Sequence, residues 1–128
     1  MILHGFLGMG DNWKTLARQW SQQGFRVHLI DQRNHGRSFW DSIFSYEAMA
    51  ADLQHYITEQ GIEKCWVLGH SMGGKTAMSW ACHHPEQLLG LVVADIAPKH
   101  YPPHHQAILK GLDSLDFSVL NTRKAVDE

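Results

Sequence analysis

Four short apolar runs, each followed by a helical or loop segment, restrict this chain to few architectures. They are "MIL" at 1–3, "FRVHLID" at 25–31, "KCWVLGH" at 64–70 and "LLGLVVAD" at 88–95. Short apolar and β-branched runs such as these, nearly continuous in "LLGLVVAD", read as strands buried on both faces. The segments between them carry the other period. After Asp11, a good N-cap, Trp13, Leu16, Ala17 and Trp20 recur at helical spacing, and Gly24 closes the segment. After Ser45 the stripe is Tyr46, Met49, Leu53 and Ile57, closed by Gly61. A third helix is expected from Gly73 to about His84, with Gly74, Ala77 and Ala81 allowing close approach to the sheet and Pro85 beyond its end. Strand–helix alternation of this kind implies right-handed βαβ units and a parallel sheet with helices on both faces.

The pattern changes after Asp95. "IAPKHYPPHHQ" is rich in Pro and His; a helix is expected over "HQAILKGLDSL", and a polar tail follows it. We therefore divide the chain into a core at 1–98 and, at 99–128, the beginning of a helical cap over the C-terminal edge of the sheet. That edge is where open α/β sheets hold their ligands.

The third strand leads into a segment that matches two catalytic patterns. "GHSMG" at 69–73 is G-x-S-x-G, the turn that presents a serine nucleophile. "GHSMGGKT" at 69–76 is also G-x-x-x-x-G-K-T, a phosphate loop in which Lys75 would reach phosphates and Thr76 would hold Mg²⁺. For the nucleophile, the residues two before and two after Ser71 must be small, and Gly69 and Gly73 are. The amide of Met72 would then point beside Ser71 Oγ at the positive end of a helix. A second amide is needed to hold an oxyanion. "HGFLG" at 4–8 ends the neighbouring strand and offers that of Phe6. A phosphate loop has no use for "HGFLG" at this place.

These segments carry a resemblance. "ILHGFLG", "DQRNHGRS" at 31–38, "LGHSMGG" and "VADIAP" at 93–98 occur in an order and spacing similar to those of the α/β-hydrolase superfamily, most closely its short-chain serine esterase subgroup. The resemblance runs over nearly the whole chain. It implies a partial α/β-hydrolase fold and a serine carboxylester hydrolase, with Ser71 as nucleophile and Phe6 and Met72 as the oxyanion hole. It implies Asp95, in the "D-I-x-P" setting, as the acid that orients a histidine base. That histidine follows the last strand of such folds, beyond Glu128, so the chain reads as a fragment truncated at both ends and inactive by itself. An outer strand "LLGLVVAD" without its usual neighbour would leave an apolar edge open to pairing.

The ten histidines need separate weighing. His100, His104 and His105 follow Asp95 at the correct edge, but their loop has no evident design for catalysis. His100 and His104 have metal-pair spacing, yet Pro102 and Pro103 interrupt it and no third ligand is evident, so no metal is expected. His4 reads as a brace of the oxyanion loop, His35 as a stabiliser of the turn after its strand, and His70 as locally packed. His83 and His84 fall at the wrong edge. Asp113, Asp116 and Asp127 are poorer candidates for the acid than Asp95.

Leu7, Met9, Met72, Tyr101, Ile108 and Leu112 are placed to line an acyl pocket for a small or medium ester or thioester. Phe39, Trp40, Ile43 and Phe44 read at least as well as core. At 44% hydrophobic and 19% charged, the composition excludes disorder, and a net charge of −2 with scattered Lys and Arg points to no nucleic acid. The longest apolar run is too short for a bilayer. Two cysteines without a disulfide framework fit a cytoplasmic protein. No cofactor is implied, and the oligomeric state is left open. Two rivals stand beside the esterase: a non-catalytic binding protein of the same fold, and a nucleotide binder using "GHSMGGKT".

Overall fold

The computed structural model describes residues 1–102 and 105–115. Met1–Pro98 form one compact unit, and the residues from Lys99 on belong to a second. The first is built on four parallel strands in the order β2-β1-β3-β4: β1 Ile2–Leu3, β2 Leu29–Ile30, β3 Cys65–His70 and β4 Leu88–Ala94. Helices α1 (Lys14–Gln22), α2 (Tyr46–Glu59) and α3 (Met72–His83) connect them, with short 3-10 turns at Gly10–Trp13 and Pro85–Gln87. In the second unit, α4 spans Gln106–Asp113.

The core lies between one sheet face and the helices α2 and α3. Leu3, Cys65 and Val67 from the sheet meet Ala50, Leu53 and Ile57 of α2 and Ala77 and Trp80 of α3. The predicted α2 stripe is the buried one, except that Tyr46 is 40% exposed. Ser45 caps this helix by accepting the Ala48 N–H at 3.2 Å, and Gly61 ends it at φ +62°, where a side chain would be strained.

Three expectations change. The run at 25–31 supplies only Leu29 and Ile30 as strand, because β1 offers two residues to pair with, Ile2 opposite Leu29 and Leu3 opposite Ile30. Asp11 does not cap α1. It sits inside the 3-10 turn, where its carboxylate accepts from Lys14 and Arg37 at 2.7 and 2.8 Å. Finally, the strands are not buried equally on both faces. On the side away from α2 and α3, Trp66 and Val92 remain 55% and 46% exposed. Trp20 of α1 reaches this side but leaves an apolar groove of ≈ 500 Å³ over Ile2, Leu68 and Val92. A nine-residue helix is only about 13 Å long and cannot cover a four-stranded face.

Candidate active site

Parallel pairing brings three segments to one edge. Leu3 lies opposite Gly69 and His70 opposite Ala94, so "HG" after β1, Ser71 after β3 and Asp95 after β4 emerge side by side. Ser71 occupies the single residue between β3 and α3 at φ +50°, ψ −114°. This is a backbone state that a non-glycine residue rarely adopts. Its N–H donates to the Ala94 carbonyl at 2.9 Å, and its own carbonyl accepts the Gly74 N–H at 2.9 Å as the helix begins. Met72 is the first residue of α3, so its amide belongs to the turn that has no carbonyl partner within the helix.

The glycines at this turn are there for space. A Cβ on Gly69 would stand 2.2 Å from the Gly73 carbonyl oxygen, and one on Gly73 would stand 2.4 Å from that of Leu3. A Cβ on Gly5 would meet the His70 ring at 2.8 Å and Ser71 Cβ at 3.4 Å, so the loop after β1 lies directly against the nucleophile candidate. Gly73→Ala should destabilise the protein by about 3 kcal/mol, since backbone rather than a movable side chain blocks the methyl group. Urea unfolding checks this; a loss under about 0.5 kcal/mol, the ordinary surface value, would mean the close contact is absent.

Thr76 excludes the phosphate-loop geometry. It is 1% exposed, and its hydroxyl donates inward to Gln32 Oε1 at 2.8 Å, whereas a phosphate loop needs this hydroxyl on a metal ion facing the ligand. Gln32 in turn donates through Nε2 to the His4 carbonyl at 2.7 Å and through its backbone N–H to His4 Nε2 at 3.1 Å. His4 Nε2 therefore carries no proton, and Nδ1–H donates to the Gly5 carbonyl at 2.8 Å. Burial pushes the His4 pKa below its usual value; the nearby His35 ring adds to this, while the Gly5 carbonyl and Asp31 oppose it. His4 is thus a neutral brace.

The "DQRNHGRS" segment is equally organised. Asp31 accepts the Gly10 and Arg37 N–H groups at 2.6 and 2.9 Å. Its partial burial acts to raise its pKa, but these two bonds prevail and hold it below the usual carboxylate value. Gly36 is at φ +55° and so close to this carboxylate that a Cβ would fall 2.4 Å from it. Arg33 forks onto Asp52 of α2 at 2.6 and 2.8 Å and donates to the Ile43 carbonyl at 2.7 Å. His35 is 8% exposed and does more than stabilise its own turn: its Nε2 accepts the Leu7 N–H at 3.2 Å, across 28 residues.

Asp95, at φ +58°, carries a side chain that is 84% exposed, with Oδ2 3.7 Å from His70 Nε2. His70 also packs at 5.9 Å against the ring of Trp13. Leu7 is 54% exposed, and Met9 is half-buried. Phe39, Trp40, Ile43 and Phe44 are 45–80% exposed and are not core. Tyr101, under the Lys99 ammonium at 5.0 Å, and Ile108, 51% exposed on α4, belong to the second unit. His104, Asp116 and Asp127 lie outside the described residues. Among the described residues, no three His, Cys, Asp or Glu side chains are grouped to hold a metal ion, and no helix is long and apolar enough to cross a membrane.

A serine on a strained strand-to-helix turn, at the C-terminal edge of a parallel sheet, defines a class of fold and site. The α/β-hydrolase-fold profile matches residues 1–126, and the chain belongs to that family. It is 46% identical to the mouse (Mus musculus) sn-1-specific diacylglycerol lipase ABHD11 over 120 residues, covering 91% of this chain and 39% of that protein. It is 35% identical to esterase YbfF of Escherichia coli over 125 residues, covering 97% of this chain and 49% of YbfF. Among solved structures, a marine microorganism esterase superposes with a TM-score of 0.91 at 47% identity, over 96% of this chain and 49% of that one. The chain thus spans half or less of the length of these relatives.

Proposed function

We propose that the full-length protein carrying these residues is a serine hydrolase of carboxylic esters. The observation that carries this reading is Ser71, held at φ +50° between β3 and α3 with the Gly5 loop against its side chain. Ser71 Oγ attacks the acyl carbon while a histidine base takes its proton. The alcohol then leaves with that proton, and water repeats the sequence on the acyl-enzyme. The amides of Met72 and Phe6 hold the oxyanion, and Asp95 orients the base. No hydrogen bond joins a histidine ring to Ser71 Oγ among the described residues, and we assign the base to a part of the full-length chain outside them. Leu7 and Met9, on the segment after β1, would line the acyl side, suiting a small or medium uncharged ester or thioester. The segment from Lys99 is read as the start of a cap. The relatives ABHD11 and YbfF, named for lipase and esterase activity, support hydrolysis of ester bonds.

A fluorophosphonate probe tests this. It should label the full-length protein at a single peptide containing Ser71, and the label should disappear in Ser71→Ala. Absence of labelling, or labelling at another serine, would overturn the assignment.

A further inference from the structure

We propose that His35 is a positioning residue for the oxyanion loop, holding the turn that presents the Phe6 amide by accepting the Leu7 N–H. This rests on the serine-hydrolase reading above. The loop from Gly5 to Gly8 is a tight turn, closed by the Gly8 N–H on the Gly5 carbonyl at 3.0 Å, with Phe6 and Leu7 at its corners. Leu7 sits there at φ +60°, although it is not a glycine. Such a conformation costs on the order of 1–3 kcal/mol and persists only where the surroundings enforce it. The Gly8 bond and the His4 Nδ1 bond to the Gly5 carbonyl arise within the loop's own segment, and Gln32 holds His4 behind the loop rather than at its corners. The Leu7 corner is gripped from elsewhere in the fold by the hydrogen bond to His35 Nε2 at 3.2 Å.

His35 is itself held so that it can serve only one way. Because the Leu7 N–H donates to Nε2, the ring proton is on Nδ1, which donates to the Arg33 carbonyl at 3.0 Å. Arg33 is anchored to Asp52 on α2. The ring is confined by Phe44 at 6.0 Å, His4 at 5.1 Å and the edge of Phe6 at 5.8 Å. A connected path therefore runs from α2 through Arg33 and His35 to the corner of the oxyanion loop. If the grip on Leu7 is released, the turn can relax and carry the Phe6 amide away from the developing oxyanion.

Two variants of the full-length protein separate this role from packing. In His35→Gln, the amide oxygen reaches the position of Nε2 and accepts the Leu7 N–H. In His35→Asn, the amide nitrogen replaces Nδ1 and nothing reaches Leu7. With a p-nitrophenyl ester, His35→Asn should lower kcat by about 10-fold at nearly unchanged KM, less than the ~10²-fold loss on deleting an oxyanion donor outright. His35→Gln should recover most of that loss. Equal losses in the two variants, or none in either, would overturn the role of His35 while leaving a reactive Ser71 in place. An unreactive wild-type protein would instead remove the esterase reading itself. Long-range proton–nitrogen NMR on the wild type gives a test that survives misfolding of a variant: His35 Nε2 should resonate as an unprotonated nitrogen, and a protonated Nε2 would sink the proposal.

Discussion

Ser71→Gly should abolish turnover and, at the same time, stabilise the full-length protein. With Ser71 as the proposed nucleophile, its loss would remove acyl transfer, and kcat should fall by about 10⁶-fold, the scale found when a serine protease loses its serine. The gain in stability comes from the backbone. Ser71 at φ +50° and ψ −114° is strained because its Cβ crowds the main chain, and glycine has no Cβ. Against this relief of ~1–3 kcal/mol stands the greater freedom of glycine in the unfolded chain, roughly 0.5–1 kcal/mol, so a net gain of about 1 kcal/mol is expected. Denaturant midpoints at unchanged slope would measure it. Ser71→Ala keeps the Cβ and should lose activity without that gain. A destabilised Ser71→Gly would show that the turn carries no strain.

The second large effect is expected at Asp95. Asp95→Asn in the full-length protein should lower kcat by about 10⁴-fold, as in the serine-protease case where an amide in place of the acid leaves the histidine in the wrong tautomer. This substitution suits the site for a structural reason. Asp95 has φ +58°, and Asn is among the few residues that tolerate this region, so the backbone after β4 should survive. The 84% exposed side chain leaves little packing to lose. Circular dichroism and melting should match the wild type. Near-normal turnover would transfer the acid role elsewhere. His70, whose Nε2 lies 3.7 Å from this carboxylate, offers an internal control: His70→Phe should act far more weakly than Asp95→Asn if Asp95 serves the base rather than its neighbour.

Much of the site was legible because its constraints are local in the chain. Gly69 and Gly73 lie two residues either side of Ser71, and a Cβ on Gly69 would strike the Gly73 carbonyl four residues on, although one on Gly73 would strike Leu3 of β1. The third strand and third helix followed from the apolar run and the small residues on either side of that turn. Errors arose where a segment depended on its neighbour. The run at 25–31 reads as seven strand residues, but a strand is only as long as the partner it pairs with, and β1 has two. Phe39, Trp40, Ile43 and Phe44 read as core at least as readily as substrate contacts, and nothing local indicates that their side chains are 45–80% exposed.

The sequence by itself determined that a serine would stand on a glycine-flanked turn at the end of a parallel strand. That outcome follows from the backbone sterics of a tight turn packed on its neighbouring strand and from the alternation of strand and helix periods. Whether "GKT" could bind a phosphate, and how the loop after β1 is held, was decided by tertiary structure. Thr76 turns inward to Gln32 across 44 residues, and His35 meets Leu7 across 28. Both contacts exist because parallel register aligns the ends of β1, β2 and β3, and hydrogen-bond partners that far apart leave no periodic trace in the chain that joins them.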